Sequence, residues 1–329
     1  MTQSTKQRDA TFDIMKGIGI MLVITEHFFN WNHPLLGKII MSFLMPMFFL
    51  VSGYFSKTVM SWKETRPVLS RYVKRLLPAY IFTQTFIILW ALLLVITKGE
   101  DFGSVIREFL SSIWADPHGP HTQWGVLSIG VVWFLIALLV SKSISLLLSK
   151  FGDWAIIISI FLAIIAILVH RLFPYSIWCI SVGMTALPFV SIGYWLRKHN
   201  VSFWAVLLCI VLWIIDIIYS RLGMYDMQWD CYPLNLIGAL GGSFCFYYIC
   251  KFIKTNFNIL SKILSILGTW SLAIMCIHDI EMHCHLGNHV MALFPFVLPI
   301  WGKYIFRYLL TITLAFIVVK TPIIKKIFV

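Results

Sequence analysis

Residues 13–31 read DIMKGIGIMLVITEHFFNW. The stretch is apolar enough to cross a bilayer, yet it contains Asp13, Lys16, Glu26 and His27. Ionisable groups inside a membrane span are costly, so their presence points to function. Lys16 and His27 are eleven residues apart. Eleven steps of about 100° make roughly three turns, which puts both side chains on one helix face. Asp13, Ile20 and Val23 lie on or beside the same stripe. The separation along the axis is about 16 Å. A cation at one end can hold a phosphate while an imidazole at the other does proton chemistry.

The surroundings are equally apolar. Of 329 residues, 60% are hydrophobic and only 12% charged, and the mean hydropathy is +0.86. Runs near twenty apolar residues recur from end to end, which excludes a soluble globular domain. Spans are predicted at about 14–31, 36–55, 77–97, 125–148, 154–171, 177–196, 201–220, 233–253, 262–281 and 302–321. The expected fold is an all-α polytopic membrane bundle of about ten transmembrane helices, a single membrane domain over residues 1–329. The polar lead MTQSTKQRDATF has no small-residue cleavage site and reads as a cytoplasmic tail, not a signal peptide.

With the N-terminus inside, 19 of the 26 Lys and Arg fall on the cytoplasmic side. Lys38, Lys98, Arg107, Arg171, Arg221, Lys303 and Arg307 remain on the other. This positive-inside bias makes both termini cytoplasmic. The net charge of +12 therefore orients the chain and implies no nucleic-acid partner. Seven cysteines lie mostly within spans and behave as small hydrophobes; Cys231 and Cys284 fall near the outer side, where pairing is conceivable.

Three connections are long: a basic loop at 56–76, and outer loops at 98–124 and 282–301. In SFLMPMFFLVSGYFS (42–56), Pro46 interrupts the helix ladder and Ser52-Gly53 is a second weak point. Freed backbone groups in lipid survive only beside protein or a cavity, so the stretch is either an ordinary kinked span or a functional break. In RPVLSRYVKRLLPAY (66–80), Arg71 shares a helix face with Lys74 and Arg75. Such a cluster binds phosphate bidentately or meets lipid headgroups. With Lys16 on the same side, phosphate is the better reading.

These stretches together resemble the acyltransferase 3 family of integral membrane acyltransferases. The likeness runs through Arg8, Asp13-x-x-Lys16-Gly17 and the basic-residue–x10–His pair Lys16/His27. It continues in Phe43-x-Met45-Pro46-x-Phe48-Phe49-x-x-Ser52-Gly53-Tyr54. Shorter pieces follow: Arg71…Arg75-Leu-Leu-Pro78, Trp133-Phe134-Leu135 and Ile277-His278. Two departures stand out. Leu44 occupies a position where many members carry His, and Glu26 precedes His27 where a neutral residue is common. Adjacent helix residues do not face each other, so Glu26 is not expected to orient His27.

The resemblance implies an enzyme of the inner (plasma) membrane that moves an acetyl or other short acyl group from cytoplasmic acyl-CoA to a hydroxyl of a cell-envelope polysaccharide or glycolipid. Lys16, Arg71, Lys74, Arg75 and Arg8 would meet the CoA phosphates, and the 16 Å helix spacing matches an extended pantetheine arm. His27 would act as general base. Ser52, or a backbone N–H at the Pro46/Gly53 break, would support the oxyanion. Asp13, Trp133, His278 and Glu281 would line the substrate path, with membrane lipids around the bundle. Asp216, inside the apolar LWIIDIIYS, is a further ionisable residue of that kind, and His170 reads as interfacial. The rival class is a transporter or flippase, which also uses broken helices and mid-membrane charge; no inverted repeat is visible.

The late segment IHDIEMHCHLGNH (277–289) has spacings compatible with zinc. On a continuous helix, however, His283 and His285 point about 200° apart. The family resemblance implies no metal, and an acceptor-side vestibule is expected instead. Elemental analysis after chelation checks this. No stoichiometric zinc is expected, and zinc whose removal abolishes activity would contradict it.

Overall fold

A computed structural model describes residues 9–29, 34–57, 59, 61–118, 126–294 and 298–328. In chain order the helices are α1 (Ala10–Phe29), α2 (Pro34–Met41), α3 (Leu44–Tyr54), α4 (Trp62–Lys98), α5 (Gly103–Trp114), α6 (Trp133–Leu148), α7 (Trp154–Leu172) and α8 (Ile180–Leu196). They continue as α9 (Phe203–Tyr219), α10 (Tyr232–Asn256), α11 (Asn258–Thr269), α12 (Ser271–Cys284), α13 (Leu286–Met291), α14 (Ile300–Lys320) and α15 (Pro322–Phe328). Among the described residues the strands are confined to a two-residue hairpin, Leu222–Gly223 with Gln228–Trp229. The fold is all-α, as the hydropathy demands.

Among the described residues, seven helical segments are long and apolar enough to cross a membrane. They are Leu35–Tyr54, Lys63–Lys98, Gly130–Phe151, Trp154–Leu172, Ile177–Leu196, Tyr232–Asn256 and Ile300–Lys320. Counting α11 and α12, which meet at a 67° bend, as one broken span makes eight. The two other predicted spans are α1, which carries Asp13, Lys16 and Glu26, and α9, which has 17 residues.

In lipid there is no hydrophobic drive between helices, so close backbone approach through small residues must supply the packing. Gly53 of α3 lies against the Val190 carbonyl of α8, and Gly193 of α8 lies reciprocally against the Leu50 carbonyl. Gly17 of α1 meets the Leu264 carbonyl of α11, while Gly268 of α11 meets the Asp13 carbonyl. These two crossings leave no room for a Cβ.

The second-span motif therefore folds differently from its sequence expectation. The helix is interrupted earlier, between α2 and α3, where the Ser42 hydroxyl donates to the Ile39 carbonyl and accepts from Trp213 Nε1 at 2.7 Å. Pro46 is the third residue of α3, in the first turn, where its missing N–H costs no helical bond. Ser52-Gly53 is no weak point, since α3 runs through it. The basic stretch at 56–76 is likewise not a loop for most of its length. Ser61 caps α4 by accepting from the Glu64 N–H, and the helix then runs through the cationic residues. Its 37 residues span about 55 Å, well beyond a hydrocarbon core of roughly 30 Å, so the basic turns project from the bundle.

The bundle thus has a basic end, where the start of α1 meets the end of α3 (Phe12 ring 4.7 Å from Tyr54), and an opposite, loop-rich end. The latter gathers α5, a 3-10 turn at Gly130–Val132, the hairpin and α13. Gly53→Leu should destabilise the protein by at least the roughly 1–3 kcal/mol of an overpacked contact. Gly37→Ala, where an added Cβ meets nothing within 4 Å, should leave the melting temperature unchanged. Thermal denaturation in detergent reads both, and equal melting of the two variants would remove the packing argument.

Candidate active site

Helix α1 runs unbroken from Ala10 to Phe29, so Lys16 and His27 do lie about 16 Å apart along one helix axis. Lys16 Nζ pairs with Asp13 Oδ1 at 2.7 Å. Phe12 and Gly19, at spacings of four and three from Lys16, both touch α3, through Tyr54 and Phe55 and through Met47 and Phe48. Lys16 therefore shares the depth of the last turns of α3.

At the far end of α1 the His27 ring lies 5.4 Å, centroid to centroid, from the ring of His278, tilted by 46°. The His278 side chain is fully buried, whereas His27 is about one-third exposed. Glu26 Oε2 sits 3.7 Å from His27 Nδ1, nearer than adjacency on a helix suggests but beyond hydrogen-bond reach. The residues after His278 are structural anchors. Asp279 Oδ1 accepts from the Val131 N–H at 2.6 Å and so holds the turn that precedes Trp133. Gly130 in that turn has φ +68°, and an added Cβ would collide with Asp279 and His283. Glu281 is fully buried in a bidentate pair with Arg307 of α14, at 2.7 and 3.0 Å. On α5, burial raises the Glu108 carboxyl above its ordinary value, with His283 and Arg107 pulling it back.

The basic end holds a second cluster. Lys142 Nζ of α6 donates to Ser52 Oγ at 3.1 Å and to the Ser52 carbonyl at 3.4 Å, and lies 4.4 Å from the centroid of the Tyr72 ring. Arg75 is within electrostatic reach of Lys142. Arg71, Lys74 and Arg75 are exposed on α4. Arg197 donates to the Ser56 carbonyl at 3.1 Å. It also lines, with Lys57, Tyr194 and Lys198, an open cleft of about 390 Å³. Arg8 lies outside the described residues.

The structure thus brings His27 to His278, and Ser52 to Lys142, but not Ser52 to His27. Phe12 marks the level of Tyr54, and His27 is fifteen residues further along α1, about 22 Å away. Trp133 is buried at the start of α6, just beyond the turn that Asp279 holds. Lys142 and Arg197 were not singled out from sequence. Lys142 did leave a signal there, a lysine inside an apolar run. Asp216 is a clamp between α9 and α10, accepting from Asn235 Nδ2 at 2.7 Å. The His170 ring rests 4.7 Å from that of His118. Helix α12 continues to Cys284, with His285 in the left-handed cap position, so His283 and His285 do not converge. No three His, Cys, Asp or Glu side chains among the described residues come together as metal ligands. All seven cysteines are free, Cys231 exposed and Cys284 buried.

With this geometry in place, comparison with known proteins is decisive. A family described as an acyltransferase domain, acyltransferase 3, matches residues 9–323. The chain belongs to the acyltransferase 3 family. Its similarity extends to the nodulation protein NolL of Sinorhizobium fredii, 27% identical over 203 residues, which are 57% of this chain and 48% of the relative. The chain therefore spans about half the length of the curated relative it matches. No solved structure matches it. With seven to eight long apolar helices among its described residues, this member of the family is a multi-pass membrane protein.

The Glu281–Arg307 pair generates a test that separates anchoring from substrate contact. Glu281→Leu alone removes the fully buried carboxylate that Arg307 holds and should cost about 3–5 kcal/mol of stability. Adding Arg307→Met should recover most of that loss. A double variant no more stable than the single would contradict the anchoring role.

Proposed function

We propose that the protein transfers an acetyl or other short acyl group from acyl-CoA to a hydroxyl of a cell-envelope glycan or glycolipid, with His27 as general base. The supporting observation is the unbroken α1, which carries Lys16 near a cationic cluster at one end and His27 beside His278 at the other. In this reading the basic end faces the cytoplasm, as positive-inside topology requires. Helices α1 and α9 complete ten spans, both termini are cytoplasmic, and the protein resides in the inner membrane. In the same reading the chain forms one membrane domain, and no metal or nucleic acid takes part.

The donor enters at the basic end. Lys16, Arg71, Lys74 and Arg75, with Arg8, meet the CoA phosphates, and Lys142 and Arg197 join them on the strength of the cluster around Ser52 and the adjoining cleft. Guanidinium forks match phosphate oxygens bidentately, and ammonium groups act as point charges. The pantetheine arm then runs along α1 and presents the thioester at His27. Neutral imidazole there takes the proton of the acceptor hydroxyl as its oxygen attacks the acyl carbon, and CoA thiolate leaves. His278, Trp133 and Asp13 contribute to the substrate path. Glu281 does so through the Arg307 pairing that shapes it. Oxyanion support by Ser52 belongs to this proposal only if α3 moves, because its hydroxyl is engaged by Lys142 far from His27.

His27→Ala should lower acyl transfer by about 10²–10⁴-fold while leaving expression and CoA binding intact. Transfer is read by mass spectrometry of surface glycans with the gene deleted and complemented, as loss and return of an acyl mass. Near-wild-type acylation by the alanine variant sinks the general-base role. Lys142→Met and Arg71→Ala should each weaken CoA binding in calorimetry, and more so together. Unchanged affinity in both would move the cationic cluster from the donor to lipid headgroups.

A further inference from the structure

The loop-rich end contains a polar and aromatic cluster that the acyl-transfer chemistry does not use. Asp116 is fully buried at the end of α5. Its Oδ1 accepts from the His118 N–H at 2.9 Å and lies 2.9 Å from His118 Nδ1, while Oδ2 accepts from the Ser176 N–H at 3.3 Å. A carboxylate at Nδ1 fixes the proton there and leaves Nε2 of His118 as an acceptor. The His118 ring lies 4.7 Å from the His170 ring and 6.1 Å from Tyr225, stacked at 26° on the latter. Tyr225 is 38% exposed, and Trp133 packs 6.5 Å from it on the inner side.

Two features mark this cluster as incomplete. His118 Nε2 and His170 Nδ1 are buried and have no hydrogen-bond partner among the described residues. Buried polar atoms are nearly always satisfied, so each of these two nitrogens marks a position where a hydrogen-bond donor belongs. The backbone around them is also strained. Ala115, Trp178 and Cys179 all have φ near +50°, and the Cys179 N–H and thiol both bond to the Ala115 carbonyl. Strain of this kind persists where surrounding structure enforces it, and it clusters at ligand sites.

The cluster also abuts the catalytic region. Trp133 follows the turn that Asp279 holds, and Asp279 is the neighbour of His278, whose ring meets His27. We propose that Tyr225, His118 and His170, backed by Trp133 and fixed by Asp116, form a carbohydrate subsite that holds the acceptor beside His27. This rests on the acyl-transfer reading with a sugar acceptor. The chemistry matches a pyranose. Its C–H face is apolar and suits the electron-rich face of Tyr225, while hydroxyls at its edge donate to the two orphan imidazole nitrogens.

The test uses the full-length protein in nanodiscs and an array of labelled neutral oligosaccharides built from hexose and N-acetylhexosamine units, with no acyl donor present. The wild type should bind at least one oligosaccharide. Tyr225→Ala and His118→Ala should each weaken that binding about tenfold or more, and Tyr225→Phe should keep it within about twofold. CoA affinity, measured on the same preparations, should not change, which shows that the variants are folded. No binding by the wild type, or equal binding by Tyr225→Ala and His118→Ala, overturns the subsite and leaves water as the partner of the two imidazoles. Because sugar binding needs no donor, it fails or survives independently of His27. Tyr225-dependent binding with no acyl transfer would retain the subsite and reject the acyltransferase chemistry proposed for His27.

Discussion

One constraint organises this molecule: a helix that carries charge through hydrocarbon has to be held close to its neighbours. Helix α1 meets it with two crossings. Gly17 and Gly268 let α1 and α11 approach backbone to backbone, and Gly19 lets the tip of the Phe48 ring of α3 come up against α1. A membrane offers no hydrophobic gain between helices, so such close backbone contacts, with hydrogen bonds between helices, carry the packing. The consequence is functional. The distance from Lys16 to His27 is set by an unbroken helix, which would fix the general base that we propose relative to the donor's phosphates.

The two ends of the bundle solve opposite problems. The basic end spreads cations over the projecting turns of α4, with Lys142 and Arg197 tethered to oxygens of residues 52 and 56. Tethered cations lose less freedom when a polyanion arrives, which favours binding. The loop-rich end instead buries its charges in pairs: Glu281 with Arg307, Asp116 with His118, and Asp279 on a backbone N–H. Glu281 and Asp116 are carboxylates whose desolvation is offset at both oxygens by directed hydrogen bonds, and Asp279 is held through Oδ1. Together they lock α12, α14 and the turn before Trp133 around the His27–His278 contact.

Much of this was legible in residues. The hydropathy required a helical membrane bundle, and the three-turn spacing put Lys16 and His27 on one face. What the sequence could not show was long-range placement. Pro46 looked like a break because proline removes an N–H, but the interruption falls at Ser42–Phe43, where Trp213 from α9 donates to the buried Ser42 hydroxyl. Ser52 looked close to the chemistry because it follows His27 in the chain. The antiparallel return of α3 carries it to the other end of α1. Glu281 resembled a cavity residue until Arg307, twenty-six positions later, was seen to cover it. The basic stretch read as a loop because charge masks helical periodicity, whereas the Ser61/Glu64 cap, a local signal, marks where the helix starts.

The most direct test of the account is a structure of the protein with a non-hydrolysable acyl-CoA analogue, determined by electron cryomicroscopy in nanodiscs. The account predicts the phosphates beside Lys16, Lys142 and Arg75, the pantetheine along α1, and the acyl carbonyl within hydrogen-bonding distance of a hydroxyl placed at His27. An analogue bound elsewhere, or an acyl group ending at the basic end far from His27, would contradict it.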